Sequence, residues 1–307
     1  MHKTLTALLN LLKMSDEPLH KRILQEWDQS LEGPLRYWRE SETKDLWSDN
    51  RRYKFIAVYN ESKAEYYRTG EHKKEKEKPK GDSPFSKTLL EKDKYIVFGN
   101  FVIRPTRTPT FYGHIILIGK KIKPEMTGED FMQLRDLSRI TDFAISVNLP
   151  GSGASLPMHF HAQGMPLEYP VMSPEFGAGQ STISERYGTR IERLVYPAYG
   201  VRVRTEEPSA VGKLASVLES MQQTVPFNVL MSKGDTYIYP RTKELPSCFK
   251  NWIMGVQEMG GIFCTRTHEM YDALDYATAE MAVKDVTFSD RQLQREFELR
   301  IQGGING

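Results

Sequence analysis

His159, His161 and Gln163 alternate along the run Met-His-Phe-His-Ala-Gln, which closes a Gly/Ser-rich stretch that begins at Asn148. In an extended strand alternate side chains share a face, about 6.5–7 Å apart at each step. The three are therefore expected to line one face of a strand, while Met158, Phe160 and Ala162 point to the other. A neutral imidazole, with an ordinary pKa of about 6.5, is largely unprotonated at neutral pH and can attack phosphorus. An amide two residues further on can donate N–H to a nonbridging oxygen but cannot supply a proton to a leaving group. The glycines at 151 and 153 offer backbone N–H groups that can approach an anion closely, and Ser155 adds a hydroxyl. Two histidines at i, i+2 can also hold a metal, but no Cys, Asp or Glu stands near them in sequence to complete the shell.

Side chains of this kind need a rigid scaffold, and the flanking sequence supplies one. Strand patterns occur at 95–98, 101–103 and 114–118, and Thr127 caps a helix that carries Phe131, Leu134, Leu137 and Ile140 at helical spacing. A strand over 143–147 then delivers the chain to Asn148. After Gln163, three prolines lead into a Gly/Ser-rich segment over 177–184, read as a loop bordering the site or a linker. A second half begins near Ile191 with a strand over 199–204, a helix over 208–224 and a hairpin of 227–231 with 236–239. A strand near 261–264 and helices over about 268–283 and 290–301 complete it, with 303–307 expected to fray. Strand, helix and paired strands recur in both halves without a residue-level repeat, which suggests a structural duplication with the histidine row in one copy.

Upstream, 3–14 and 18–31 read as amphipathic helices and 53–59 as a strand, whereas 70–83 is nearly all charge and reads as a solvated loop. Leu5, Leu8, Leu9 and Leu12 fit one helical face, so the opening residues read as a helix rather than a secretory leader. The expected organisation is 1–94 as N-terminal helices, strand and charged loop, 95–185 as the half bearing the motif, and 186–307 as the second half with C-terminal helices. The fold class is α+β, an antiparallel sheet with packed helices.

Composition narrows the partners. A formal charge of +2 gives no basic surface for nucleic acid or membrane, so a small molecule is expected, with a homodimer as the candidate assembly. Only Cys248 and Cys264 occur, at no metal-binding spacing, which points to a reducing, cytoplasmic setting without disulfides.

Asn148, the Gly/Ser turn and His-Phe-His-Ala-Gln together resemble the active-site signature of the histidine triad superfamily. The Gln at 163 resembles the transferase branch, which includes galactose-1-phosphate uridylyltransferase, dinucleoside tetraphosphate phosphorylase and GDP-galactose phosphorylase. Phe-Val-Ile-Arg-Pro at 101–105 and Gly-His-Ile-Ile-Leu-Ile-Gly-Lys-Lys at 113–121 resemble the strands that precede the motif there. The resemblance implies two histidine-triad-like halves, with His161 as nucleophile, His159 holding its ring, and Gln163 donating to the α-phosphate. It implies a nucleotidyltransferase or phosphorylase that uses a sugar nucleotide or dinucleoside polyphosphate. A covalent nucleotidyl-histidine would pass its nucleotide to inorganic phosphate or a phosphorylated sugar. Asn148, Gly151, Gly153 and Ser155 would contact phosphate or ribose, and Arg241 and Lys243, with Glu258 similarly placed, would approach the sugar or distal phosphate. The motif requires no cofactor, and a divalent cation would arrive only with the nucleotide. This chain lacks the Cys/His cluster of the zinc-bearing uridylyltransferases, so no metal site is predicted, and it lacks their prolines between the histidines, which leaves the phosphorylases or another branch equally open as the source of its substrate choice. A hydrolase using the same intermediate and a non-catalytic nucleotide-binding module stay open as alternatives.

Overall fold

The computed structural model describes residues 18–31, 40–68, 83, 85–173 and 179–306. The helix expected over 3–14 and most of the charged run over 70–83 lie outside these residues.

Ten strands form one sheet: β3 (Ile96–Phe98), β4 (Phe101–Pro105), β5 (Ile115–Gly119), β6 (Ala144–Asn148), β7 (His161–Met165), β8 (Gly179–Arg186), β9 (Thr189–Val195), β10 (Val201–Thr205), β11 (Phe227–Ser232) and β12 (Asp235–Pro240). Their order is β3-β4-β5-β7-β6-β11-β12-β10-β9-β8, and neighbouring strands run antiparallel. The seam at the middle joins β6 to β11, with Asn148 opposite Asn228. Outward from that seam, each side reads as the same sequence of strands. β5 is buried along its whole length, so its Ile-Ile-Leu-Ile run is the continuous apolar stretch that a strand covered on both faces requires.

One face of the sheet carries the helices. α1 (Leu19–Leu31) buries Leu19, Ile23 and Trp27 there. The Trp27 indole N–H reaches the carbonyl of His114, 3.1 Å away. α4 (Gly128–Ile140) and α5 (Pro208–Met221) each link an outer strand to the strands at the seam, after the short helices α2 (Glu61–Arg68) and α3 (Ser86–Leu90) earlier in the chain. Thr127 caps α4 in a reciprocal box: its hydroxyl accepts from Asp130 N, and the Asp130 carboxylate accepts from Thr127 N at 3.0 Å. Phe131, Leu134 and Leu137 of α4 then enter the same core as Leu117, Ala162 and Val147 of the sheet.

A second core lies on the opposite face. There a three-stranded sheet, in the order β1 (Glu42–Trp47), β2 (Lys54–Tyr59), β13 (Ile262–Thr265), packs Phe55, Ala57 and Phe263 against Leu230, Tyr237 and Tyr239. α6 (Val256–Met259), α7 (His268–Ala273) and α8 (Tyr276–Val286) complete this layer, and α9 (Arg291–Asn306) ends the described chain on the helical face.

Several expectations are corrected. The strand expected over 53–59 is β2, and it gains a parallel neighbour, β13, from the far end of the chain. The segment 177–184 falls partly in β8, an edge strand held by β9, rather than in a loop or linker. The helix expected over 268–283 is two helices separated at Leu274, with Asp275 capping the second by accepting from Thr278 N at 2.8 Å. The segment 303–307 does not fray from 303: α9 runs on to Asn306, and Ile305 is buried in the core.

Candidate active site

The His row is only partly a strand. β7 begins at His161, opposite Ile118 of β5, and Gln163 lies opposite Ile116 of β5 and Ser146 of β6. His161 and Gln163 thus share the face away from the helices, while Ala162 packs into the helical core. His159 precedes the strand, in a turn where its N–H bonds to Leu156 O and the Phe160 N–H bonds to Lys123 O. His159 is thus outside the strand, and it meets His161 through its carbonyl.

Hydrogen bonds assign the tautomers. A carbonyl can only accept, so His159 donates from Nε2 to Gly119 O at 2.6 Å, and its Nδ1 accepts from the Ser83 hydroxyl. His161 in turn donates from Nδ1 to the His159 carbonyl at 2.9 Å. The lone pair of His161 therefore resides on Nε2, on the far edge of the ring, in the cavity that His161 lines. Burial pushes the His161 pKa below its ordinary value, partly offset by that carbonyl, and burial lowers His159 as well. Both rings are neutral at physiological pH. Phe85 closes one side of the pair, with its ring centroid 5.3 Å from that of His159 and 5.4 Å from that of His161. With Ile116, Ile118, Leu89 and Leu156 it forms an apolar wall.

The cavity has a volume of about 340 Å³. Its floor is the sheet, through Arg104, Ile116, His161, Gln163 and Asn148, and its rim is the turn over 153–156 and the segment over 252–258. Arg104, Ile116, Gln163 and Ser146 stand in one row across four adjacent strands, on one face. Lys63, Arg107 and Arg266 also line the cavity, and Glu258 is the one carboxylate among the described lining residues. Glu258 is occupied as the cap of α6, accepting from Gly255 N at 2.8 Å, and burial pushes its pKa up. Basic side chains thus outnumber acidic ones among the described lining residues, a composition suited to an anion.

Amide orientations at the floor are equally determined. The Gln163 carbonyl accepts from His114 Nε2 at 3.1 Å and from Gln257 Nε2 at 2.8 Å, which leaves its NH2 for the cavity. The Asn148 carbonyl accepts from Asn228 Nδ2 and from Val256 N, both at 2.7 Å, so its NH2 is likewise left over. A neutral ring nitrogen and two amide donors thus converge on one anion-attracting space, an arrangement that can place an in-line attack on phosphorus and hold the oxygens around it.

The structure brings His161, Gln163, Asn148 and Ser155 to this cavity, with His159 joined to His161 through its carbonyl. Four other candidates lie differently. Gly151 is exposed and faces Pro226, where its φ of +79° shapes the turn. Gly153 lines the cavity, but its N–H already donates to Glu244 Oε1 at 2.8 Å, so it is no open phosphate donor. Arg241 is 1% exposed and spends its guanidinium on the carbonyls of Ser152, Lys243, Met254 and Val286 and on Asn228 Oδ1. It holds the turn and, through Asn228, the Asn148 amide. Lys243 pairs with Asp285 at 2.8 Å, outside the cavity lining. Sequence reasoning missed Lys63, Arg104, Arg107, Arg266, Gln257, Ser83 and Phe85. Alternation in β4 could have found Arg104, since Phe101 and Ile103 face the helical core and Arg104 must face the other way.

No protein-family model matches the sequence, and no curated protein matches it. The fold is similar to solved structures of yeast Ap4A phosphorylase Apa2. With AMP bound, that structure superposes at a TM-score of 0.60 and 15% identity, covering 89% of this chain and 97% of that chain. With Ap4A bound, the values are 0.57, 15%, 89% and 98%. The likeness is one of fold.

Proposed function

We propose that this protein is a nucleotidyl-transferring phosphorylase that acts on a dinucleoside polyphosphate or a sugar nucleotide through a covalent intermediate on His161. The observation that carries this reading is the pinned ring of His161, whose Nδ1–H is committed to the His159 carbonyl and whose Nε2 lone pair is left to a cavity lined by four basic side chains. In the first step Nε2 attacks the α-phosphorus, a P–N bond forms, and the P–O bond to the phosphorylated leaving group breaks with its electron pair on oxygen. In the second step an oxygen of inorganic phosphate or of a phosphorylated sugar attacks the same phosphorus and His161 leaves with its lone pair restored. Gln163 and Asn148 donate N–H to the nonbridging oxygens in both steps. Lys63, Arg104, Arg107 and Arg266 would draw in the remaining phosphates. A phosphorylated leaving group needs no acid, which suits an amide at 163 where a third histidine would favour water as acceptor.

The similarity of fold to an Ap4A phosphorylase supports the substrate class. The strand order, repeated outward from the β6–β11 seam, supports descent of the sheet from two histidine-triad-like halves, with the row kept in the first. The motif needs no cofactor, and any divalent cation enters with the nucleotide. Product analysis with Ap4A tests the reading. Turnover that depends on added inorganic phosphate and yields a nucleoside diphosphate supports phosphorolysis, whereas turnover indifferent to phosphate and yielding AMP refutes it in favour of hydrolysis.

A further inference from the structure

The two faces of a glutamine amide are nearly identical in shape, yet opposite in chemistry. Only one orientation of Gln163 presents donors to a phosphate; the flipped one turns a carbonyl oxygen against it. We propose that His114 and Gln257 are positioning residues that lock the Gln163 amide with its NH2 toward the reacting phosphate. This rests on the nucleotidyl-transfer reading above.

Both donors to the Gln163 carbonyl are themselves directed. The Thr110 N–H donates to Nδ1 of His114 at 3.0 Å, so the proton of that neutral ring is on Nε2, the atom that meets Gln163. The Cys264 thiol lies 3.0 Å from the Gln257 carbonyl as donor, so the amide end of Gln257 is the end that faces Gln163. Burial raises the Cys264 pKa and, with the charge of Lys63, lowers that of His114, which keeps the thiol protonated and the ring neutral. A flipped Gln163 would set its own NH2 against two inward-pointing N–H groups in a largely buried place. The lock is built from the loop before β5, from α6 and from β13, so segments far apart in sequence fix one bond rotation. His114, Gln257 and Cys264 line the cavity, but the lock acts through the Gln163 amide and not through the substrate.

A kinetic cycle tests the proposal, with Ap4A and inorganic phosphate as substrates and kcat normalised to AMP-binding sites. Gln163→Ala is expected to lower kcat roughly 100-fold, the usual loss for one oxyanion donor. His114→Phe/Gln257→Met is expected to lower kcat about 10-fold or more with KM nearly unchanged, and to add nothing once Gln163 is already alanine. His114→Gln in the Gln257→Met background, which returns an N–H near the position of Nε2, is expected to recover most of the loss. An equal loss in the wild-type and Gln163→Ala backgrounds overturns the proposal, because the two residues then serve the fold alone. Undiminished turnover in His161→Ala overturns the transfer reading itself, a result independent of the cycle. A wild-type protein that turns over neither Ap4A nor any common sugar nucleotide, with inorganic phosphate or a sugar phosphate as acceptor, overturns both.

Discussion

His114 should make the protein acid-labile through one side chain. Its ring is 3% exposed, accepts from Thr110 N, donates to Gln163, and has its pKa pushed down to about 3 by burial and by the nearby Lys63 charge. In the unfolded chain the same ring titrates at about 6.5. Below that pH the unfolded state binds a proton that the folded state refuses, so stability falls as pH falls. Each pH unit between the two values costs about 1.4 kcal/mol, which gives a loss of about 2 kcal/mol between pH 7.5 and pH 5 and about 4 kcal/mol by pH 3. Urea denaturation at a series of pH values, on wild type and His114→Gln, isolates this contribution, because His159 and His161 are common to both and cancel. The wild type should lose about 2 kcal/mol more than the variant on going from pH 7.5 to 5. Parallel curves for the two proteins would refute the reasoning, since they would mean that His114 can take a proton in the folded state at little cost.

Two further perturbations follow from the turn that frames the cavity. Gly153→Ala places a Cβ about 2.2 Å from the Met254 carbonyl oxygen at a φ of +91°. It should cost roughly 3 kcal/mol from strain and overlap, and urea titration giving a variant within about 0.5 kcal/mol of wild type would contradict the packing described. Arg241→Leu removes a buried cation that satisfies four main-chain carbonyls. It should cost roughly 3–5 kcal/mol and lower Tm by about 10 °C, where a substrate-contact role alone would leave the melting temperature of the free protein unchanged.

What the sequence disclosed and what it withheld divide along physical lines. Periodicity is local, so α4 with its Thr127 cap, the strands β3 to β6 and β10, and the hairpin of β11 and β12 could be read from neighbouring residues, whereas β8 and β9 were not. The nucleophile candidate was legible for the same reason, because His161 and Gln163 sit two apart on one strand. The long-range pairings were not legible. Nothing in residues 40–60 announces that β2 will take β13 as a parallel neighbour, and Ser83 gives no sign, at the end of a charged run, that it will hold His159 from 76 positions away. Arg241 shows the converse. A basic residue just past a strand invites assignment to a phosphate, but its burial and its ring of carbonyl partners make it a fastener of the turn. Asn148 kept a place at the cavity because the β6–β11 seam sets its amide by way of Asn228.

The proposed transfer requires a bond between phosphorus and one ring nitrogen, Nε2 of His161. Wild-type protein mixed with Ap4A in the absence of phosphate, quenched and mapped by peptide mass spectrometry, should carry an acid-labile, base-stable nucleotidyl group on His161. That group should be discharged by added inorganic phosphate and be missing from His161→Ala. A fully active protein with no such adduct, or with the adduct on another residue, would contradict the account.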